Sequence, residues 1–196
     1  MTAANGLPKN IGHGVSMAIS EDNYEVFSKH MKEKYPRYFG EGKLFGGFAV
    51  GPGWYPILEA LIGQIDSYTK WRRRMRAEDL RNQRLARKGR DAVIDKITNG
   101  RGVSYSWEEE RINKIMVGAD ITQRVDYICI EQIKEKFGGL RFYYSGGDDT
   151  IGGMVTMAEV WASHSCETCG NKGEKRNGGW IRTLCDQHEE ERKAKQ

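Results

Sequence analysis

Residues 165–188 read SCETCGNKGEKRNGGWIRTLCDQH, and four side chains in that stretch decide how the end of the chain folds. Cys166 and Cys169 flank a tight turn, with Gly170 placed to let the backbone bend so that both sulfurs point at one ion. Cys185 and His188 follow after fifteen intervening residues, spaced i and i+3 so that they share one face of a first helical turn. Three thiolates and an imidazole make a closed tetrahedral set, which is the pattern of a structural zinc and leaves no position for a catalytic water. The spacing therefore predicts one zinc per chain. Between the pairs, NKGEKRNGG turns the chain and WIRTL returns as a strand, so the order is knuckle, hairpin, helix. A unit of about 25 residues has too little core to hold itself together without a metal or crosslink. Structural zinc supplies on the order of 10 to 16 kcal/mol in finger peptides, which is ample.

Upstream, VDYICIEQIKEKFGGLRFYYSGG (125–147) is rich in β-branched and aromatic residues and interrupted only by Gly138 and Gly139, which predicts a β-hairpin over about 125–145. Its first half is apolar on both faces and suits a central strand; nearer the turn, Ile133 and Phe137 should point inward and Lys134 and Lys136 outward. Asp148 or Asp149 can cap a helix over TIGGMVTMAEVWAS, with Ile151, Met154, Val155, Ala158 and Trp161 facing the core. Earlier in the chain, Ser20 starts a helix with Tyr24, Phe27 and Met31 on its buried face, and that helix must stop before Pro36. A glycine-rich connection (40–53) leads to WYPILEALIGQIDSYTKW, where Leu58, Leu61, Ile62, Ile65 and Tyr68 form an apolar stripe. Ser106 to Glu109 reads as a capping box ahead of Ile112, Ile115 and Met116, with Gly118 at the stop. Together these elements predict an α+β fold: a small antiparallel sheet packed by helices, with a C-terminal finger resembling a treble clef. The corresponding divisions are a flexible leader (1–20), an α+β domain (21–162) and the zinc finger (163–196).

Of 196 residues, 38% are hydrophobic and 30% charged, and no window nears the roughly 18 apolar residues of a membrane span. The first twenty residues lack the unbroken apolar run of a secretory signal. Three of the four cysteines fall into metal spacing, so a reducing cytoplasm is expected, with Cys129 a small core residue. The net charge of +4 conceals an asymmetry. Residues 72–90 carry Arg72, Arg73, Arg74, Arg76, Arg81, Arg84, Arg87, Lys88 and Arg90 against Glu78 and Asp79, or +7. Only Met75, Leu80 and Leu85 are apolar there, at intervals too wide for a continuous stripe, so a projecting helical insertion over about 70–100 is expected. Past Gly89, Val93, Ile94 and Ile97 can pack a further turn. The finger itself, 163–196, is nearly neutral at +1 and suits clamping or protein contact better than nucleic-acid binding.

QIKEKFGGLRFYYSGG, MAEVWASHSCETCG and GWIRTLCDQH, taken in order, are similar to a widespread family of uncharacterised phage and prophage proteins, and GWYPIL (53–58) resembles that family's helix opening. The likeness covers about two-fifths of the chain. It departs from the family between Thr69 and Val125, where the basic segment lies. The resemblance implies a phage-encoded protein acting in a bacterial cytoplasm with a zinc-bearing C-terminus, and implies no reaction.

These patterns point to a binder rather than a catalyst. The +7 segment, with Trp71 at its head and Tyr105 and Trp107 beyond, suits phosphate neutralisation and base stacking, so nucleic acid is the first expected partner. A second expectation is a phosphorylated small ligand, such as a nucleotide messenger of host defence, held where Lys134, Lys136 and Arg141 flank the amides of Gly138 and Gly139; a host protein is a further candidate. The bland readings are a solvated basic helix and an ordinary tight turn. No paired carboxylates or nucleophile and base arrangement suggests an enzyme. Glu108 to Glu110 suit a helix N-terminus and Asp148 and Asp149 a cap; His13, His30 and His164 have no nucleophile beside them, and GGDDTIGG lacks the lysine of a phosphate loop.

Overall fold

A computed structural model describes residues 21–39, 47–118 and 121–195. The leader, Ser20 as a helix cap, His13 and most of the glycine-rich connection lie outside the described residues. In order, the chain forms α1 (Glu21–Lys34), α2 (Pro36–Phe39), β1 (Phe48–Ala49), a 3-10 turn (Pro52–Trp54), α3 (Tyr55–Ala86), α4 (Arg90–Thr98) and α5 (Ser106–Val117). The hairpin β2 (Cys129–Lys136) and β3 (Gly139–Ser145), α6 (Asp149–Ala162), the short hairpin β4 (Glu174–Arg176) and β5 (Arg182–Leu184), and α7 (Asp186–Lys193) follow. The fold is α+β, as expected from the sequence. Among the described residues no helix is long and apolar enough to cross a membrane.

The main core forms where the first half of α3 and α6 pack against a three-stranded sheet of order β1-β2-β3. The predicted stripe on α3 is buried through Leu58, Leu61, Ile62 and Ile65, with Tyr68 half-buried at its edge. α1 ends at Lys34, two residues before Pro36, and buries Phe27 and Met31 while Tyr24 stays exposed. β2 is the central strand, antiparallel to β3 and paired in parallel with the two residues of β1. Strict alternation fails inside β2. The pairing slips between Ile130 and Gln132, so Ile130 and Ile133 both face the core although they are three positions apart.

The hairpin turn also sits one residue earlier than the Gly138-Gly139 pair suggests. Phe137 and Gly138 are its two central residues, at φ 53° and 69°, as a type I′ turn requires, and Gly139 already pairs in β3. Phe137 is therefore 65% exposed and not a core residue. Asp148 is the cap of α6: its Oδ1 accepts from Ile151 N at 3.2 Å and its Oδ2 accepts from the Tyr68 hydroxyl at 2.7 Å, which ties α6 to α3. At the far end of α6 the inward position is Ala162, and Trp161 turns to solvent. Cys129 is likewise exposed, because the outer face of β2 is not covered there.

α3 does not stop where its apolar stripe stops. It runs unbroken for 32 residues, so the basic segment is its second half and extends past the main core. α4 and α5 fold back on that extension around a separate small cluster of Val93, Ile112 and Ile115, with Leu85, Ile94, Ile97 and Met116 at its rim. The capping box on α5 is displaced by one residue from the sequence expectation. Tyr105 is the cap residue, and the fully buried Glu108 accepts from Ser104 N (2.9 Å) and Tyr105 N (3.2 Å) and pairs with Arg101 at 2.6 Å. The two backbone amides and the guanidinium hold the Glu108 carboxyl below the usual range.

A candidate metal centre and a basic helical face

The knuckle is built by local backbone bonds. Gly170 N donates to Cys166 O at 2.8 Å and Cys166 N to Asn171 O at 2.7 Å, which folds residues 166–171 around the two thiols, with Gly170 at φ 79°. β4 and β5 then return the chain, and Cys185 lies at the N-terminus of α7 with His188 one turn later. As a result the ligand atoms of Cys166, Cys169, Cys185 and His188 all lie within 4.8 Å of one another. Cys169 Sγ and Cys185 Sγ are 3.9 Å apart, and Cys166 Sγ is 3.6 Å from His188 Nδ1. Tetrahedral coordination with metal–sulfur bonds of about 2.3 Å needs sulfurs about 3.8 Å apart, so these four residues could hold a metal ion. Burial pushes the Cys166 thiol up, but the amides of Cys185, Cys169 and Thr168 aimed at its sulfur outweigh this and bring it below the ordinary value. Cys169, with less of that help, is pushed up to about 11 by burial. A cation among the four would favour both thiolates.

The site is fastened to the rest of the molecule at two places that local patterns do not reveal. Gly53 lies directly against the knuckle: a Cβ there would overlap the Cys166 carbonyl oxygen and come within 2.5 Å of Gly170 N and 2.8 Å of Cys169 N. Gly53 N donates to Glu167 O at 2.9 Å, and the fully buried Trp54 donates from Nε1 to Ser165 O at 2.8 Å. The second fastening is the main hairpin's turn, which meets β5: Thr183 Oγ1 donates to Gly138 O at 2.5 Å, and an added Cβ at Gly138 would sit 3.2 Å from the Arg182 carbonyl carbon. On α7, Glu189 is buried and accepts twice from Arg192, so one face of this strongly charged helix packs against the finger.

The second docking point also involves the hairpin residues expected to form an anion site. Gly138 N donates to Glu135 Oε1 at 2.6 Å, so a carboxylate already holds the amide that a phosphate would need. Arg141 folds onto Leu140 O, Lys134 lies over the Tyr143 ring and Lys136 over Phe137. Lys134, Lys136 and Arg141 thus each have a partner within the hairpin, Arg141 lies beside Gly139, and Gly138 packs against β5.

The nine cations of the basic segment divide by helical phase. Arg76 donates to Thr122 O (2.9 Å) and Arg72 to Gln123 O (3.3 Å), while Asp79 accepts from Thr122 N (2.9 Å); these three pin the chain leaving α5 against α3. The bond from Thr122 holds the Asp79 carboxyl below its usual value. Arg73 stacks on the Tyr127 ring, whose centroid is also 4.1 Å from Arg37. Arg90 pairs with Glu109 and Asn113, clamping α4 to α5, and Arg87 reaches Gln83. Arg74, Arg81, Arg84 and Lys88 are exposed and their side chains, among the described residues, make no hydrogen bond or ion pair. At 100° per residue Arg74, Arg81 and Arg84 lie within an arc of about 80°, and Lys88 follows just past the helix end. The aromatic residues expected near the segment are exposed too: Trp71 near its start, and Tyr105 near-parallel to Trp107 at 6.3 Å at the N-terminal end of α5.

Compared with protein-family models, with curated proteins and with solved structures, this chain matches none. Its geometry alone therefore defines the class to which it is assigned: an α+β protein with a Cys3His cluster that could hold a metal ion and a long helix with an outward basic face.

Proposed function

We propose that the protein is a zinc-stapled nucleic-acid binder of phage type, in which the metal holds the C-terminal finger against the core and the outer half of α3 presents the binding face. Zinc is the ion that best suits three thiolates and one imidazole in a closed set, and its role there is structural. The observation that carries the binding reading is the row Arg74, Arg81 and Arg84 on α3 with Lys88 just past its end, whose exposed side chains have no acidic partner among the described residues, while the other cations of the segment are engaged in holding the fold. Such a row follows a phosphate backbone, and exposed Trp71, Tyr105 and Trp107 are available for stacking.

Anisotropy titrations of mixed-sequence oligonucleotides across a salt series test this. Four phosphate contacts correspond to a log–log salt slope of about −3, and the triple change Arg74→Gln, Arg81→Gln, Arg84→Gln should bring it to about −1. Absent or salt-insensitive binding rejects the reading. Elemental analysis of purified protein should find one zinc per chain.

A further inference from the structure

Beside the metal cluster, on the side facing the main sheet, lies a cavity of about 540 Å³ whose lining includes Ala49 on β1, Glu135 on β2, Glu167 in the knuckle, Trp180 and Arg182. Glu167 is 4% exposed. One of its carboxylate oxygens pairs with Arg182 Nε, and the other, Oε2, is buried without any partner. A buried carboxylate oxygen left without a donor is costly, and native structures supply one. Burial of the carboxylate is forced by the fold, because the backbone of Glu167 is held from both sides, by Gly53 N on its carbonyl and by Thr183 O on its amide.

The surroundings select the kind of donor. Glu135 is the second carboxylate on the cavity, held there by Gly138 N and by Trp180 Nε1 at 3.2 Å. Of the two arginines, Arg192 is already bound to Glu189 and to the carbonyls of Gly178, Trp180 and Asn177, which leaves Arg182 alone facing two acids. The cavity thus favours one further positive charge. Trp180 stands at its edge, 71% exposed, with an indole face available to a flat cation.

We propose that this cavity binds a guanidinium group, whose fork of N–H donors would pair with the Glu167 carboxylate as it turns its closed-off oxygen toward the cavity, while the guanidinium plane stacks on Trp180. Guanidinium fits better than ammonium because it is planar, weakly hydrated and able to serve an acid and an aromatic face together. The group can belong to an arginine side chain of a polypeptide or to a free small guanidine, and the two sources are separable by experiment.

Metal-loaded, full-length ¹⁵N-labelled protein is titrated with agmatine, with an acetyl-Gly-Arg-Gly-amide peptide, and with the same peptide carrying neutral citrulline. The Trp180 indole N–H resonance, assigned through Trp180→Phe, is followed. A saturable shift with half-saturation near or below about 1 mM for either guanidinium compound, and none for citrulline, is the expected result. Equal affinities identify the free group as sufficient; a peptide at least about tenfold tighter identifies a polypeptide partner. Glu167→Gln should weaken binding about tenfold, the scale of one charge-assisted hydrogen bond, with the metal content unchanged. Should that variant fail to fold, calorimetry on Trp180→Leu, which changes an exposed residue, serves instead and should show weaker binding. No saturable shift up to about 10 mM, an equal response to citrulline, or full affinity in the folded variants overturns the proposal.

Discussion

The finger's junction with the core and the outer half of α3 with α4 and α5 are two appendages of similar size held in opposite ways. At the junction a metal-type cluster, close backbone contacts at Gly53 and Gly138, and buried hydrogen bonds such as that from Trp54 to Ser165 set the position. The outer helices depend on three buried aliphatic side chains and a perimeter of ion pairs. Placement at the junction depends on groups that tolerate no added atom. Placement of the outer helices depends on burial that can be lost by degrees, and local opening should be easier there.

The comparison can be broken most severely at the metal cluster. Cys185→Ala, or treatment with a strong chelator, should unfold residues 163–196 and leave α4 and α5 protected, as read by hydrogen exchange; a structural zinc in this cluster would contribute on the order of 10 kcal/mol. Protection that survives metal removal would show that the fastening at Gly53 and Gly138 suffices by itself. Gly53→Ala follows, expected to cost about 3 to 4 kcal/mol in chemical denaturation because the added methyl meets backbone on the knuckle and not a side chain that can move.

On the other side of the comparison, Ile112→Ala removes one of three buried residues and should cost about 2 to 3 kcal/mol. Its effect should be local: α4 and α5 lose protection while the main transition, followed by Trp54 burial, stays in place. Acid sharpens the same boundary. The folded-state pKa of Glu108 is lowered, so its stabilising contribution is present above the unfolded value of about 4.3 and is lost as pH falls through the lower folded value. The outer helices should loosen as pH falls below about 4, and Glu108→Gln, already lacking that contribution, should weaken this pH dependence and leave the share that Asp79 supplies. Smallest of all, changing Arg74, Arg81 and Arg84 together should move stability by no more than about 0.5 kcal/mol each, since their side chains make no hydrogen bond or ion pair among the described residues, while changing any salt-dependent binding.

Much of this architecture is legible in the sequence where the signal is local. Cys166, Cys169, Cys185 and His188 declare themselves by spacing, and Leu58, Leu61, Ile62 and Ile65 by period, because neighbours along the chain suffice to express both. Phe137 is misplaced because two glycines in succession leave the phase of a hairpin turn undetermined by one residue, and only pairing in β3 resolves it. Trp161 and Ala162 compete for one inward position at a helix end, and the small residue takes it where the knuckle begins. The partition of the basic segment is hidden for a different reason. Arg72 and Arg76 differ from Arg74 and Arg81 only in what lies opposite, and the opposing carbonyls at 122 and 123 are about fifty residues away in sequence. The same holds for Gly53, Trp54 and Glu167, whose importance comes from contacts across more than a hundred positions.

α3 couples its two ends as a screw couples head and tip. From Tyr55 to Ala86 it advances about 48 Å with no break, so its buried stripe and its outward row keep one angular relation. Deleting a single residue between Tyr68 and Arg72 would turn everything beyond by about 100°, swinging Arg74 and Arg81 away and taking Arg72 and Arg76 off their carbonyls. Removing four would restore the bearing to within about 40° and shorten the reach by about 6 Å. Length change in this helix is thus quantised: related chains can lengthen or trim the strut only in steps near whole turns without re-aiming what it carries.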